Sequence, residues 1–322
     1  RSEGTVAAPA TVNIDGTLNA GLFNGNNSTL NMQSGDATIT NNLTNVGTAN
    51  IRGTIGGVLT NQGAVLTNGN TIVQRLDNAA TGTTTVRTGH EVTTTSTTQN
   101  LGQLNVNGTL RGNVSNQVSG TDPTVFGTIA LNSGGVITGN VTNAGRLNAG
   151  GTIRGSVDNS GTLNVIDAAE LGDLDNSGSV VVESGETLTT NGDISNTGSI
   201  DLAGALNIND GDSRLVNSGT GNLTLSGAAI TGDVLNQVEN LTGSAFADTL
   251  RGEVDHFGQH VVERARDLLA AGVGHDAVGA ELAAAFHDRD EGRAALDLGR
   301  RQVVELLDLG EGNVDLRFAD PA

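Results

Sequence analysis

Short stretches that alternate apolar and polar residues recur along the chain. Thr162-Leu163-Asn164-Val165, Ser199-Ile200-Asp201-Leu202 and Asn222-Leu223-Thr224-Leu225 all follow this form, the period of a half-buried strand. A second stretch bounded by glycine follows, as in Gly151-Thr152-Ile153-Arg154-Gly155, and a third closes on asparagine, as in Ser156-Val157-Asp158-Asn159. Residues 128–161 hold the clearest copies. The closing Asn falls at Asn45, Asn61, Asn78, Asn100, Asn116, Asn143, Asn159, Asn176, Asn196, Asn217 and Asn236, at intervals of 16 to 27 residues. Such uneven intervals exclude a coiled coil and suit a solenoid that absorbs insertions in its loops. Strands this short make no stable sheet alone. Stacked in register, each pairs with its equivalents above and below. The pattern predicts a mainly β fold, a parallel β-helix over residues 11–252 of about 11–12 rungs, each adding about 4.8 Å.

Glycine and asparagine at the corners permit the left-handed backbone that tight turns use. Leu, Val and Ile at alternate positions would stack inside. The closing asparagines, Asn143, Asn159, Asn176, Asn196 and Asn217 among them, are expected to form a ladder whose amides satisfy backbone groups between rungs. Composition supports a thin core of this kind: 47 Gly and 6 Phe, with no Trp, Tyr, Cys or Lys in 322 residues.

Residues 1–10 read as a lead-in or cap. Two stretches break the rhythm. Residues 81–100 form a threonine-rich rung, read as β-propensity of threonine rather than a lattice-binding row. Residues 118–127 occupy the longest interval and contain Asp122, Pro123 and Phe126. They are the candidate projecting loop, and loops on rigid scaffolds carry binding.

From Glu253 the period changes. Val254, Phe257, Val261, Ala265 and Leu268 are spaced for one face of a helix. A second helix is expected from about Asp276 to His287, with Val278, Leu282, Ala285 and Phe286 inward. A third is expected from about Asp290 to Leu309, with Leu296, Val303, Leu306 and Leu307 inward, and Asn313 to Phe318 would be a last strand. Residues 253–322 thus read as a small C-terminal α-helical cap or assembly domain, since a solenoid must cover its terminal rung.

Charge is uneven. Residues 1–161 hold 7 acids and 7 Arg, while residues 162–322 hold 28 acids and 9 Arg, the source of the net charge of -19. This argues against nucleic acid as a partner. No apolar run approaches a membrane span, so membrane insertion is not expected. Starting at Arg1 without a leader, the chain reads as a mature chain or a fragment.

Candidate chemistry is sparse. His256 and His260 are spaced i,i+4, and Asp288 and Asp290 flank a helix junction; these four are the candidate metal ligands, with Ca2+ as the possible ion at the carboxylates. The zinc-protease pattern fails because Phe257 follows His256. Asp173 to Ser184 starts like an EF-type loop but lacks its final Glu, and Asn209 to Asp212 reads as a β-turn. No nucleophile motif or phosphate loop occurs, and His90 is the one histidine of the repeat region. No catalytic residue is assigned.

The segment Gln237 to Gly252, with ENLTGSAFADTL at 239–250, resembles one found in RTX (hemolysin-type calcium-binding) proteins. There it leads into calcium-binding nonapeptides, none of which follows here. The repeat region as a whole resembles the β-helical stalks of bacterial surface proteins, the autotransporter passengers and filamentous-hemagglutinin-like adhesins. The resemblance implies a non-enzymatic, exported structural or adhesive protein at a bacterial surface or outside the cell. Its partners would be further copies of itself, in a filament or surface layer, or other surface components. The alternative is a polysaccharide-active β-helix protein of the phage tailspike or lyase type.

Overall fold

Each closing asparagine ends the third strand of a turn, and the strands stack on their equivalents one turn away. The computed structural model describes residues 9–209, 213–218, 220–226 and 229–231 in full. It also describes the backbone of strands Val234–Asn236, Leu241–Thr242, Thr249–Glu253, Arg293–Asp297, Val303–Asp308 and Asn313–Phe318. The chain forms the parallel β-solenoid that the pattern predicts, with about 11 turns. It divides into two units, 1–163 and 164–322, a division that falls inside the stretch 11–252.

In the first unit, turns are built from three parallel sheets. The first sheet stacks Thr11–Ile14, Thr29–Met32, the start of Thr48–Asn61, the start of Ala64–Asn78, Thr83–Val86, Gln103–Val106, Thr128–Leu131 and Arg146–Ala149. The second runs from Thr17–Leu18 through Thr38–Ile39 to Glu91–Thr94, Thr109–Arg111, Val136–Ile137 and Thr152–Ile153. The third carries the asparagines, from Leu22–Asn24 to Val157–Asn159. Strands Thr48–Asn61 and Ala64–Asn78 pass through all three sheets without a break.

Register stacks the apolar residues as the alternation requires. Leu104, Ile129 and Leu147 succeed one another on the first sheet, as do Val106, Leu131 and Ala149, all fully buried. On the third sheet Val114, Val141 and Val157 do the same. Full burial of such side chains stabilises by about 1.5–3 kcal/mol each. One position breaks the apolar rank. Thr98 stands in register with Val114, is fully buried, and its Oγ1 has no hydrogen-bond partner among the described residues. Thr98→Val keeps the shape and removes the orphan hydroxyl. It is expected to stabilise the protein by about 1 kcal/mol, read as a rise in the thermal midpoint.

The second unit is also built from three parallel sheets. Ser179–Val182, Ser199–Leu202 and Asn222–Leu225 form its first. Ala169–Leu171, Thr187–Thr190, Ala205–Ile208 and Ala229–Thr231 form its second. Leu174–Asn176, Ile194–Asn196 and Arg214–Asn217 form its third. Strand Thr249–Glu253 continues the second sheet and then pairs antiparallel with Asn313–Phe318.

The C-terminal expectations meet the structure unevenly. Asn313 to Phe318 is a strand, as its alternation suggests. The helix expected over 290–309 is not there. Arg293–Asp297 and Val303–Asp308 are antiparallel strands. Their register sets Leu306 between Ala294 and Leu316, and Val304 between Leu296 and Phe318. The register thus aligns apolar positions in one row across three strands, and neighbouring Val303 and Val304 favour a strand. The first two expected helices lie outside the described residues.

Candidate functional surface

The third sheet places its asparagine side chains inside the turn, where each spans the gap to the next. In the first unit Nδ2 of Asn24 donates to Oδ1 of Asn45 at 2.7 Å, Asn45 to Asn61 at 2.8 Å and Asn61 to Asn78 at 2.9 Å. Asn78 donates to Asn100 at 2.8 Å, Asn100 to Asn116 at 2.7 Å, Asn116 to Asn143 at 2.6 Å and Asn143 to Asn159 at 2.7 Å. The same amides reach backbone carbonyls, as Asn45 does at Gly47 (3.1 Å) and Ala64 (3.0 Å). In the second unit Asn176 donates to Asn196 at 2.6 Å, and Asn196 to Asn217. These residues are buried, so an unpaired amide there would carry a full desolvation cost. Asn24, which the Asn-x-Gly phrase does not pick out, begins the ladder among the described residues.

A second ladder runs up the corner before the third sheet, and the repeat phrase contains a signal for most of its members: Gly, then Asn or Asp, then an apolar residue, with Asn41 in place of the Gly before Asn42. Oδ1 of Asn42 accepts from Val58 N–H at 2.9 Å, Asn113 from Asn140 at 2.9 Å, and Asn140 from Ser156 at 3.1 Å. In the second unit Asp173 accepts from Asp193 N–H at 3.1 Å, and Asp193 from Arg214 N–H at 2.8 Å. Glycine precedes because the neighbouring oxygen fills the space of a Cβ, which would lie 2.5 Å from Asn113 Oδ1 at Gly139 and 2.0 Å from Asp173 Oδ1 at Gly192. The Asp173 carboxylate that begins the EF-like pattern therefore holds a backbone N–H.

Outward positions are mostly polar and bond along the turns. Asn31 donates to Asn13 at 3.0 Å and Asn50 to Asn31 at 2.8 Å. Ion pairs join Arg75 to Asp77 at 2.7 Å and Arg111 to Glu91 at 2.6 Å. Half-buried His90 sits with Nδ1 3.0 Å from Thr67 O and 3.2 Å from Thr67 Oγ1. The threonine-rich rung turns only part of itself outward. Thr84 is buried, and its Oγ1 donates to Asn78 Oδ1 at 3.0 Å, inside the ladder.

The loop at 118–127 is a small hairpin. Val118 and Phe126 form an antiparallel bridge, Ser119 N–H donates to Val125 O at 2.8 Å, and Gly127 N–H donates to Gln117 O at 2.7 Å. Asp122 turns its tip, accepting from Thr124 Oγ1 at 2.6 Å and from Thr124 N–H at 2.9 Å. The Thr124 hydroxyl, and then its N–H, hold the Asp122 carboxyl below its ordinary value. Asp122, Pro123 and Phe126 are all exposed. The Arg146 guanidinium lies over the Phe126 ring, 5.6 Å from its centre, a contact of about 0.5–1 kcal/mol at an exposed site.

His256, His260, Asp288 and Asp290 lie outside the described residues. Among the described residues no three His, Asp or Glu side chains group as metal ligands, and no helix is long and apolar enough to cross a membrane. What the described polar groups do chemically is hold one turn to the next and present a loop with an aromatic ring and a cation. Set against protein-family models, curated proteins and solved structures, the chain matches none.

Proposed function

We propose that this chain is a non-enzymatic, exported bacterial protein with a structural or adhesive role, a stiff β-solenoid scaffold that displays loops and associates with further copies of itself. The observation that carries the reading is the use made of the recurring polar positions of the repeat: asparagine and aspartate side chains are spent on cross-turn bonds, in two ladders. Side chains so engaged stiffen a scaffold and are not available to transfer protons or bind a reacting group. The resemblance to adhesin stalks points the same way.

Self-association has its own support. Among the described residues, strand Thr11–Ile14 is paired on one side only. Val12 is 38% exposed and Phe23, on the third sheet of the same turn, is 67% exposed. An open strand edge flanked by apolar side chains is a template for another chain. The hairpin at 118–127 supplies the display element for other surface components, and the acidic residues after 162 supply weak sites for Ca2+.

Sedimentation and negative-stain microscopy of the purified chain, with and without millimolar calcium, test the reading. The expected result is association that grows with concentration. A chain that stays monomeric in both conditions overturns self-association. Cleavage of an acidic polysaccharide in the same preparation overturns the non-enzymatic assignment and favours the lyase-type alternative.

A further inference from the structure

Four asparagines of the described residues are followed directly by glycine: Asn24, Asn68, Asn107 and Asn191. In such a pair the glycine nitrogen can attack the asparagine Cγ, because no Cβ hinders its approach. The new N–C bond closes a five-membered succinimide and ammonia leaves. Water then opens the ring at either carbonyl and yields aspartate or isoaspartate. The reaction needs only water, and it needs the side chain and the following N–H to be free to meet.

The fold withholds that freedom from three of the four. Asn24 is 3% exposed and its Nδ2 is held by Asn45 Oδ1 at 2.7 Å and Thr48 O at 2.9 Å. At Asn107, Oδ1 accepts from Asn132 at 2.5 Å, and the nucleophile is tied down because Gly108 N–H donates to Val86 O at 3.1 Å. Asn191 is clamped at both ends, donating to Glu170 Oε1 at 2.7 Å and accepting from Asn209 at 3.2 Å.

Asn68 differs. It is exposed, and no side-chain hydrogen bond holds it among the described residues. Residues 68–70 lie where the pairing of the two long strands slips, between the pairs Ile51 with Thr67 and Gly53 with Thr71. The segment is anchored on either side, at Thr67 by Arg87 N–H (2.9 Å) and at Asn70 by Glu91 N–H (3.0 Å). Gly69 has a φ of 158°, and the Arg52 side chain lies against it, so that a Cβ there would meet Arg52 Cγ at 2.7 Å. We infer that Asn68 is the covalent ageing site of this protein, converting through a succinimide to aspartate or isoaspartate while the other three pairs persist. The product places a new carboxylate next to Gly69, against which the Arg52 side chain lies, and the isoaspartate form lengthens the backbone within a bulge rather than within a ladder.

Arginine-specific digestion separates the four sites, into peptides 2–52, 53–75, 88–111 and 155–214. The folded protein is held at mildly alkaline pH and warmth, then mapped for isoaspartate and for amide-to-acid exchange. The expected result is several-fold more conversion in peptide 53–75 than in each of the others, with an acid-shifted charge variant that Asn68→Gln does not form. In denaturant all four peptides are expected to react. Equal conversion across the four sites in the folded protein, earlier conversion at Asn24, Asn107 or Asn191, or a stable Asn68, overturns the inference.

Discussion

Asn116→Ala is expected to destabilise the protein by about 3–5 kcal/mol, a very large effect for one side chain. Asn116 is buried. Its Oδ1 accepts from Asn100 at 2.7 Å, while its Nδ2 reaches Asn143 Oδ1 at 2.6 Å and the carbonyls of Gly127 and Arg146 at 3.0 Å each. Alanine removes all of these: it leaves the buried Asn143 Oδ1 without its Asn116 donor, at about 1–3 kcal/mol, takes the amide from Arg146 O, and takes one of two donors from Gly127 O, which keeps Arg146 N–H at 2.9 Å. The loss is smaller on the Asn100 side, because that amide keeps Gly102 O and Thr128 O, both at 3.1 Å. Asn116→Asp is expected to be worse, since it turns a carboxylate toward two carbonyl oxygens. Asn132→Ala removes one exposed bond to Asn107 and is expected to fall within about 0.5 kcal/mol of the parent. Urea midpoints of the three variants check the ranking. Similar midpoints for Asn116→Ala and Asn132→Ala would mean that the inner ladder contributes no more than a surface pair.

Much of this was readable in the chain itself, for a physical reason. Period-two alternation over strands such as Thr162-Leu163-Asn164-Val165 reports which side is buried, and a buried closing residue that is polar must find a partner of its own kind. The loop at 118–127 was readable because it lengthens one interval. Other features depend on contacts between turns, which a linear phrase does not display. Asn24 belongs to the ladder although Gly25 follows it directly, and its role appears only when register sets it beside Asn45. The Gly-Asn and Gly-Asp pairs read as corner residues, yet the corner bond runs to a residue about a turn later, as from Asn140 to Ser156. Thr98 reads as an ordinary strand threonine until its neighbour in register proves to be Val114. At the C-terminus, Leu296, Val303, Leu306 and Leu307 fit a helical spacing. Strand Arg293–Asp297 pairs with Val303–Asp308, which pairs in turn with Asn313–Phe318, partners that spacing within one segment does not reveal.

Gly145→Ala should be the other severe substitution, at about 3 kcal/mol. A Cβ at this position would lie 2.2 Å from Gly127 O and 2.9 Å from Asn116 Nδ2. The first of these is backbone and cannot rotate away. That carbonyl also accepts from Arg146 N–H at 2.9 Å and from Asn116 Nδ2 at 3.0 Å, so displacing it loosens a cross-turn strand bond and the inner ladder together. Glycine is required here by the approach of the preceding turn, with no need for an unusual backbone angle. Gly120, in the exposed hairpin, separates the two explanations, because a Cβ there meets nothing within 4 Å. Gly120→Ala is expected to be neutral or to stabilise by about 0.5 kcal/mol through the unfolded chain. Thermal midpoints of the pair decide the matter. If Gly145→Ala is tolerated as well as Gly120→Ala, adjacent turns can shift apart at the corner, and closeness of backbone to backbone is not what fixes glycine in the repeat.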